Sequence, residues 1–380
     1  MQKIVFGIPT LNEADNIKSL TVIIDKGLRR YFKNYETIII NADSRSKDDT
    51  KGAFLQTSTE SKKVYISTAK QSDDHQGKGA NLLEVFRYAK RNKARAVAFI
   101  DGDVKSASPE WVKRLIDPVL KGYDHVLPVY LRNKFDGAIT NHFIFPVLYG
   151  LLLRNLRQPL AGEIAVSPKA YKAFLKNKWY PSAYKYGVDI YMVTQSIFSN
   201  CRFAETFLGI KSHKPSAPKL HNMIIEVADS LFRQLAKNRR YWQKRNLKTG
   251  ATKIFHMPDL LPPPPELYFN YKKMKKEALK EYKANKKEIE TMFDGAKIVS
   301  GKNFHLSSEL WAQIIYEFLN KNQPLKAREL AVLRALLLVR FMTFYHHVAK
   351  LSQARIEEVI IRQAKAFRHL RGYALRRRSL

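Results

Sequence analysis

Ala96-Val97-Ala98-Phe99-Ile100-Asp101-Gly102-Asp103 is the stretch from which the rest of the chain is read. Its five small or apolar residues predict a buried strand, and two carboxylates follow on either side of one glycine. In a parallel α/β sheet, ligands bind at the carboxyl ends of the strands. Two acids placed there repel each other unless a cation or a Lys/Arg partner intervenes. A hard divalent ion holding phosphate oxygens meets that need. A surface turn is the plainer alternative, because Asp and Gly are turn formers. The neighbouring segments bear on the choice.

Upstream, residues 4–8 predict a first strand, followed by Pro9-Thr10-Leu11-Asn12-Glu13-Ala14-Asp15. Asn12 is placed as a helix N-cap and Asp15 as the return carboxylate of a capping box. Residues 37–41 predict a second strand, ending in Ala42-Asp43-Ser44-Arg45-Ser46. That end could accept hydrogen bonds from a base or a ribose, or be an ordinary polar loop. A third strand over 64–66 leads to Gln76-Gly77-Lys78-Gly79-Ala80, where glycines permit close backbone approach and Lys78 offers a cation beside phosphates. The G-x-x-x-x-G-K spacing of a Walker A loop is missing. Alternating strands and helices over the first 120 residues predict a parallel, doubly wound sheet.

Beyond a strand at 126–129 come a glycine-containing loop at 135–140, an apolar run at 143–153 and the turn Arg157-Gln158-Pro159-Leu160-Ala161-Gly162-Glu163. Tyr186-Gly187-Val188-Asp189 opens an apolar helix, and Leu208-Gly209-Ile210-Lys211-Ser212-His213 reads as a strand ending in a histidine. A lone histidine is more often structural than a ligand. Pro262-Pro263-Pro264-Pro265 is a stiff connector. After it come a lysine-rich helix over 271–290, a helix capped by Ser307, two further helices over about 326–349 and 354–370, and a frayed Arg376-Arg377-Arg378 end.

The chain has 380 residues with 45% apolar and 12% aromatic content, enough for a sizeable core, so general disorder is excluded. A single cysteine, Cys201, excludes a disulfide framework. The strand pattern starts too early for a signal peptide. The longest apolar run, over 330–349, carries Arg334 and Arg340 and reads as a buried helix rather than a membrane span. A cytoplasmic location is expected. The net charge is +33, with 28 Lys and Arg against 12 Asp and Glu in residues 241–380, so the excess is denser towards the C-terminus. Such a surface attracts nucleic acids, anionic lipid headgroups and phosphorylated small molecules alike.

Pro9-Thr-Leu-Asn-Glu13, Asp43-Ser-Arg-Ser, Gly77-Lys-Gly79 and Asp101-Gly-Asp103 together resemble a GT-A-fold sugar transferase of the family-2 type. Asp136-Gly-Ala-Ile-Thr-Asn-His142, Arg157 to Glu163, Tyr186 to Asp189 and Phe207 to His213 narrow the likeness. They are similar to the retaining glucosylglycerate and mannosylglycerate synthases and to glucosyl-3-phosphoglycerate synthases. The segment Leu310-Trp-Ala-Gln-Ile-Ile-Tyr-Glu-Phe318 is similar to the helical tail of the glucosylglycerate group.

The resemblance implies an α/β, Rossmann-like GT-A domain over 1–240, a Pro-rich connector over 241–265 and a basic helical extension over 266–380. Pro9, Leu11, Glu13 and Asp43 would then line the nucleotide, Lys78 would sit near the diphosphate, and Asp103 and His213 would bind Mg²⁺ or Mn²⁺. Asp101 would contact the ribose or a water on the metal. Leu160, Ala161 and Gly162 would face the sugar, with Thr140, Asn141 and Tyr186 around a small hydroxy-acid acceptor. Asp189 would orient or deprotonate that acceptor, with a two-carboxylate double displacement as the rival and a helix N-cap as the plain alternative. Ala138 stands where phosphoglycerate-using relatives carry arginine, Arg45 where the usual pattern has a small residue, and Ala161 where relatives often have glycine. Two other readings stay open: an inverting transferase acting on a polyprenyl phosphate, and a noncatalytic nucleic-acid-binding protein. Partner expectations are a nucleoside diphosphate hexose, the acceptor, peripheral contact with anionic membrane or nucleic acid, and a homodimer.

Overall fold

The computed structural model describes residues 1–68, 72, 75–133, 135–214, 220–266, 270–293, 298–300, 303–321 and 323–375. The arginines at 376–378 lie outside the described residues. Two compact units divide the chain: residues 1–131, 158–230 and 252–263 form the first, and 132–157, 231–251 and 264–380 the second. Each unit is assembled from segments distant in sequence. These limits cut across the linear division at 240 and 265 expected above.

In the first unit, β1 (Lys3–Thr10), β2 (Glu36–Asp43), β3 (Lys62–Ser67), β4 (Ala96–Phe99), β5 (His125–Leu131), β6 (Ala165–Val166), β7 (Phe203–Ile210) and β8 (Lys253–Phe255) form one sheet. The order is β3-β2-β1-β4-β6-β5-β7-β8. Only β6 runs antiparallel, pairing with β4 and β5. The strand expected over 37–41 extends to Asp43, and that over 64–66 widens to Lys62–Ser67. Register places Thr10 beside Asp43 and Gly7 beside Phe99, so the polar residues that follow β1, β2 and β4 collect at one end of the sheet.

Helices α1 (Ile17–Tyr31), α2 (Thr50–Gln56), α3 (Lys78–Arg91) and α4 (Pro109–Leu120) cross between the strands. Ile17, Leu20, Ile24 and Leu28, at helical spacing on α1, are buried with Trp111, Val112 and Leu115 of α4 in the main core. Asn12 does not cap α1. The helix begins later, after Asn16, because Glu13 O accepts from both Asn16 N (3.0 Å) and Ile17 N (2.9 Å) in an intervening turn. The Asn12 side chain instead accepts from Lys47 N at 2.7 Å, and Asp15 pairs with Lys214 at 3.1 Å.

The second unit is helical. A π-turn over Thr140–Ile144 runs into helix Phe145–Gly150, followed by helices Tyr271–Ala284, Lys286–Met292, Ser308–Asn320, Ala327–Val348, Gln353–His369 and Arg371–Leu375. The lysine-rich helix expected as one piece is broken at Asn285. Ser307 caps its helix by accepting from Leu310 N at 3.1 Å. Arg340, within the longest apolar run, is buried and fully engaged: it donates to Gln363 Oε1 (2.6 Å), Leu306 O (2.8 Å) and Ser308 Oγ (3.0 Å). Among the described residues no helix is long and apolar enough to cross a membrane.

Candidate active site

The chain leaving β4 keeps contact with β1: Ile100 N donates to Gly7 O (3.3 Å) and Gly102 N to Pro9 O (3.2 Å). Val104 N then closes a turn on Asp101 O at 3.1 Å. Asp101-Gly102-Asp103 thus forms the turn, and that turn stands at the carboxyl end of the strand. Lys78, the first residue of α3, places Nζ 3.1 Å from Asp101 Oδ1 and 3.4 Å from Asp189 Oδ1. Asp189 Oδ1 is buried, with the Lys78 ammonium as its charge partner. Asp189 does not cap its helix. Gly187 takes that position, and Asp189 lies in the first turn of Val188–Phe198.

Gly162 closes the site from the segment before β6. A Cβ built there would stand 2.0 Å from Asp101 Oδ2, so a side chain is excluded by the carboxylate itself. Next to it, Glu163 is fully buried. Its carboxylate accepts from Lys211 Nζ at 2.8 Å on both oxygens and from Tyr130 OH at 2.9 Å. Lys211 Nζ is also 3.8 Å from Asp101 Oδ2. The paired roles of Glu163 and Lys211 escape a reading of the sequence alone. The signals were an acid set against the apolar Ile164-Ala165-Val166 and a lysine directly after the end of β7.

Charges of opposite sign set the proton affinities here. Burial works to raise the Asp101 carboxyl, but Lys78 and then Lys211 outweigh it and hold it below the ordinary value. For Asp103, burial and then the Asp101 carboxylate push the carboxyl up. Asp189 is pushed up to about 6 by burial, against the pull of Lys78. Lys78 stays protonated, because Asp101, Asp189 and Glu163 overcome the cost of burying its ammonium.

Asp103 and His213 are brought together by a β-bridge between Val104 and His213. The His213 ring is exposed, and its Nδ1 lies 2.7 Å from Lys214 O. Nδ1 therefore donates to that carbonyl, which leaves Nε2 as the nitrogen that could face a metal. A carboxylate whose proton affinity is raised by a neighbouring acid, beside such an imidazole, suits Mn²⁺ or Mg²⁺ completed by phosphate oxygens. Among the described residues no three His, Cys, Asp or Glu side chains form a group that could hold a metal ion.

The remaining expected residues divide. Pro9 is buried in β1, Leu11 is 52% exposed just beyond it, and Glu13 pairs with Lys214 at 2.7 Å. Burial raises the Glu13 carboxyl despite that lysine. Asp43 is buried, and accepts from Tyr65 OH (2.9 Å), Thr10 Oγ1 (3.3 Å) and Ser46 Oγ. Arg45 has φ +61°, a left-handed conformation that explains why a glycine would suit the position. Gly79, expected to let the backbone approach a ligand, instead packs on its own chain: a Cβ there would lie 2.0 Å from Ala183 O. Ala161 is buried in the main core and Leu160 is half-buried. Tyr186 N donates to Glu226 Oε2 at 3.0 Å. Thr140 and Asn141 belong to the second unit. There the Asn141 side chain accepts from Arg157 Nη1 (2.8 Å) and donates to Asp136 O (2.9 Å), while Arg157 forks onto Glu357 at 2.7 and 2.9 Å.

Residues 6–178 match the family model described as glycosyl transferase family 2. Tyr186, Asp189, Lys211 and His213 lie beyond the matched segment. The chain is similar to solved structures of glucosyl-3-phosphoglycerate synthase from Mycobacterium tuberculosis. The form with Mg²⁺ and uridine diphosphate is 25% identical, with a TM-score of 0.50 over 62% of this chain and 80% of that one. The form with Mn²⁺, UDP-glucose and phosphoglyceric acid gives the same figures: 25% identity, TM-score 0.50, 62% and 80% covered. The form with phosphoglyceric acid alone does so too, at 25%, 0.50, 62% and 80%. No curated protein matches the chain. The fold is GT-A, a Rossmann-like α/β sheet, with a helical C-terminal region.

Proposed function

We propose what this glycosyltransferase, a chain with a glycosyl transferase family 2 domain over residues 6–178, transfers and to what. A hexose, glucose or mannose, passes from a nucleoside diphosphate sugar to glycerate or a similar small hydroxy acid, with retention at the anomeric carbon and a divalent cation bound. The observation that carries this reading is the placement of Lys78 between Asp101 and Asp189, at 3.1 and 3.4 Å, beside the end of β4. A similar structure holding UDP-glucose, Mn²⁺ and phosphoglyceric acid supports the donor and acceptor classes and makes UDP-glucose the first donor to try.

In this mechanism Lys78 presents its ammonium at the N-terminus of α3, where backbone N–H groups add to the attraction for a diphosphate. Asp103 and His213 would hold Mg²⁺ or Mn²⁺, which when bound would supply positive charge for a departing nucleoside diphosphate. Asp101 lies beside them and, kept ionised by Lys78 and Lys211, accepts from the ribose. Gly162 gives the Asp101 carboxylate room and leaves space for the sugar. Asp189 takes the proton from the acceptor hydroxyl, and a proton affinity pushed up to about 6 by burial, against the pull of Lys78, suits a general base. No second carboxylate is assigned as nucleophile, so acceptor attack occurs on the face from which the diphosphate departs.

Thr140 and Tyr186 are assigned to the acceptor on the resemblance. Asn141 is assigned with them, although its amide is engaged by Arg157 and Asp136. Ala138 removes the arginine fork of phosphoglycerate-using relatives, and Arg132 is paired with Asp136 at 3.1 Å, so a non-phosphorylated acceptor is preferred. The test is a panel of nucleotide sugars with glycerate or phosphoglycerate, with and without Mg²⁺ or Mn²⁺. The expected product forms only with metal, favours glycerate, and is lost in Asp103→Ala and His213→Ala. Turnover untouched by chelator or by either substitution contradicts the metal site.

A further inference from the structure

The edge of the sheet carries a surface that the transfer reaction does not use. β8 ends the strand order, and among the described residues no strand pairs with its outer side. Strand edges of this kind are usually covered or charged. Eight large apolar side chains are exposed among the described residues, and four of them fall within residues 254–261. These are Ile254 (46%), Met257 (44%), Leu260 (87%) and Leu261 (48%). Every residue from 257 to 263 is exposed, and Pro258, Pro262 and Pro263 keep that segment from forming strand or helix.

Cations gather at the start of this run, around Phe255 and His256. Lys253 Nζ lies 5.3 Å and Lys121 Nζ 5.7 Å from the centre of the Phe255 ring. Phe255 packs edge-on against Tyr123, over which Arg202 sits at 4.8 Å. Lys113 and Arg114 lie close enough to lower the proton affinity of His256, which burial also lowers. The acids nearby include Asp117, which pairs with Lys113, Asp124, which accepts from Arg202 N at 2.9 Å, the buried Glu205 opposite Ile254 in the strand pair, and Asp259 in the loop itself.

We propose that this face, with the exposed Met257, Leu260 and Leu261 following directly on Phe255 and His256 and on the cations Lys113, Arg114, Lys121, Arg202 and Lys253 gathered there, docks the protein on an anionic lipid bilayer. Apolar side chains that enter the headgroup layer and basic residues that meet its phosphates are the two signals stable peripheral binding requires. Lysine and arginine stems run along apolar surface while their charges reach the headgroups. A nucleic acid would use the cations but has no place for exposed leucines, since strands are held by stacking on aromatics. The contrast within the same unit is the basic hollow of about 420 Å³ lined by Lys26, Arg29, Arg30, Lys33 and Pro109. Its lining is cationic apart from Pro109, and its arginines are paired with Glu60 and Glu110.

The full chain is sedimented with vesicles of phosphatidylcholine alone or of phosphatidylcholine mixed with phosphatidylserine, at low and high salt. Binding is expected only with the anionic vesicles and to weaken with salt. The double substitution Leu260→Ser, Leu261→Ser weakens it at least about tenfold, and Lys121→Glu or Lys253→Glu at least about fivefold. Thermal unfolding and sugar transfer stay at the parent values. No binding to anionic vesicles at low salt overturns the proposal, as does undiminished binding by the leucine variant. Concentration-dependent self-association abolished by the leucine substitutions would also overturn it, and would make this face a contact between two copies. A shift of a single-stranded oligonucleotide lost in the leucine variant would overturn it in favour of nucleic acid.

Discussion

Gly162 and the Asp101 carboxylate share a space that admits no side chain: a Cβ on Gly162 would stand 2.0 Å from Asp101 Oδ2. The Asp101 carboxylate is held by Lys78 and Lys211 on its other sides, so it cannot yield without breaking those pairs. Gly162→Ala is expected to leave folding intact and to lower kcat by about 100-fold, the effect of displacing a site group by roughly an ångström. Steady-state rates and thermal melting of the variant read this directly, and parent-like activity contradicts the assigned role of Asp101.

Asp189 sets the pH dependence. A base must be ionised, and burial pushes this carboxyl up to about 6, so activity is expected to rise as pH passes through about 6. The sign for stability is opposite. The folded state binds the proton more tightly than the unfolded chain, so this group's contribution to stability falls as pH rises from 3.8 towards about 6. Asp189→Asn should remove both dependences and lower kcat by about 100- to 10,000-fold. A pH–rate profile of the variant that keeps the same inflection assigns the base elsewhere.

Glu163 and Lys211 form the pair on which the site rests. Breaking a buried pair by removing one partner costs about 3–5 kcal/mol, because the other charge is left without compensation. Lys211→Met is therefore expected to lower urea-unfolding stability by about 3 kcal/mol, whereas Lys272→Met, at an exposed position, changes it by at most about 0.5 kcal/mol. The double variant Glu163→Gln, Lys211→Met should recover part of the loss, which a double-mutant cycle measures.

Arg45 holds a left-handed backbone, with φ +61°. Glycine would relieve about 1–2 kcal/mol there and give back about 0.4–1 kcal/mol through the greater freedom of the unfolded chain. Arg45→Gly should raise stability by up to about 1 kcal/mol, visible as a higher melting temperature. A lower one would show that the Arg45 side chain contributes more than its backbone costs.

The legible parts of the chain were those whose physics is local. Residues 96–103 announce a buried strand and two acids because apolar continuity and a turn glycine both operate over a few residues, and the sheet formed as that pattern implied. Lys78 could be singled out from its flanking glycines, but the reason for Gly79 could not, since its neighbour is the Ala183 carbonyl more than a hundred positions away. The Glu163–Lys211 pair joins a segment before β6 to the end of β7, and only the sheet order makes them neighbours. For the same reason composition could not show that residues 132–157 and 231–251 join the helical unit. Asn12 misled because a cap signature is read over four residues, while Glu13 O starts the helix with a different turn.

Retention at the anomeric carbon is the part of the mechanism most directly open to measurement. UDP-glucose, glycerate and Mn²⁺ are incubated with the protein, and the coupling of the anomeric proton in the glucosylated product, a glycoside whose configuration is fixed, is read by NMR. The account predicts the α-anomer, the configuration of the donor. A β-linked product would contradict it and return the site to an inverting displacement.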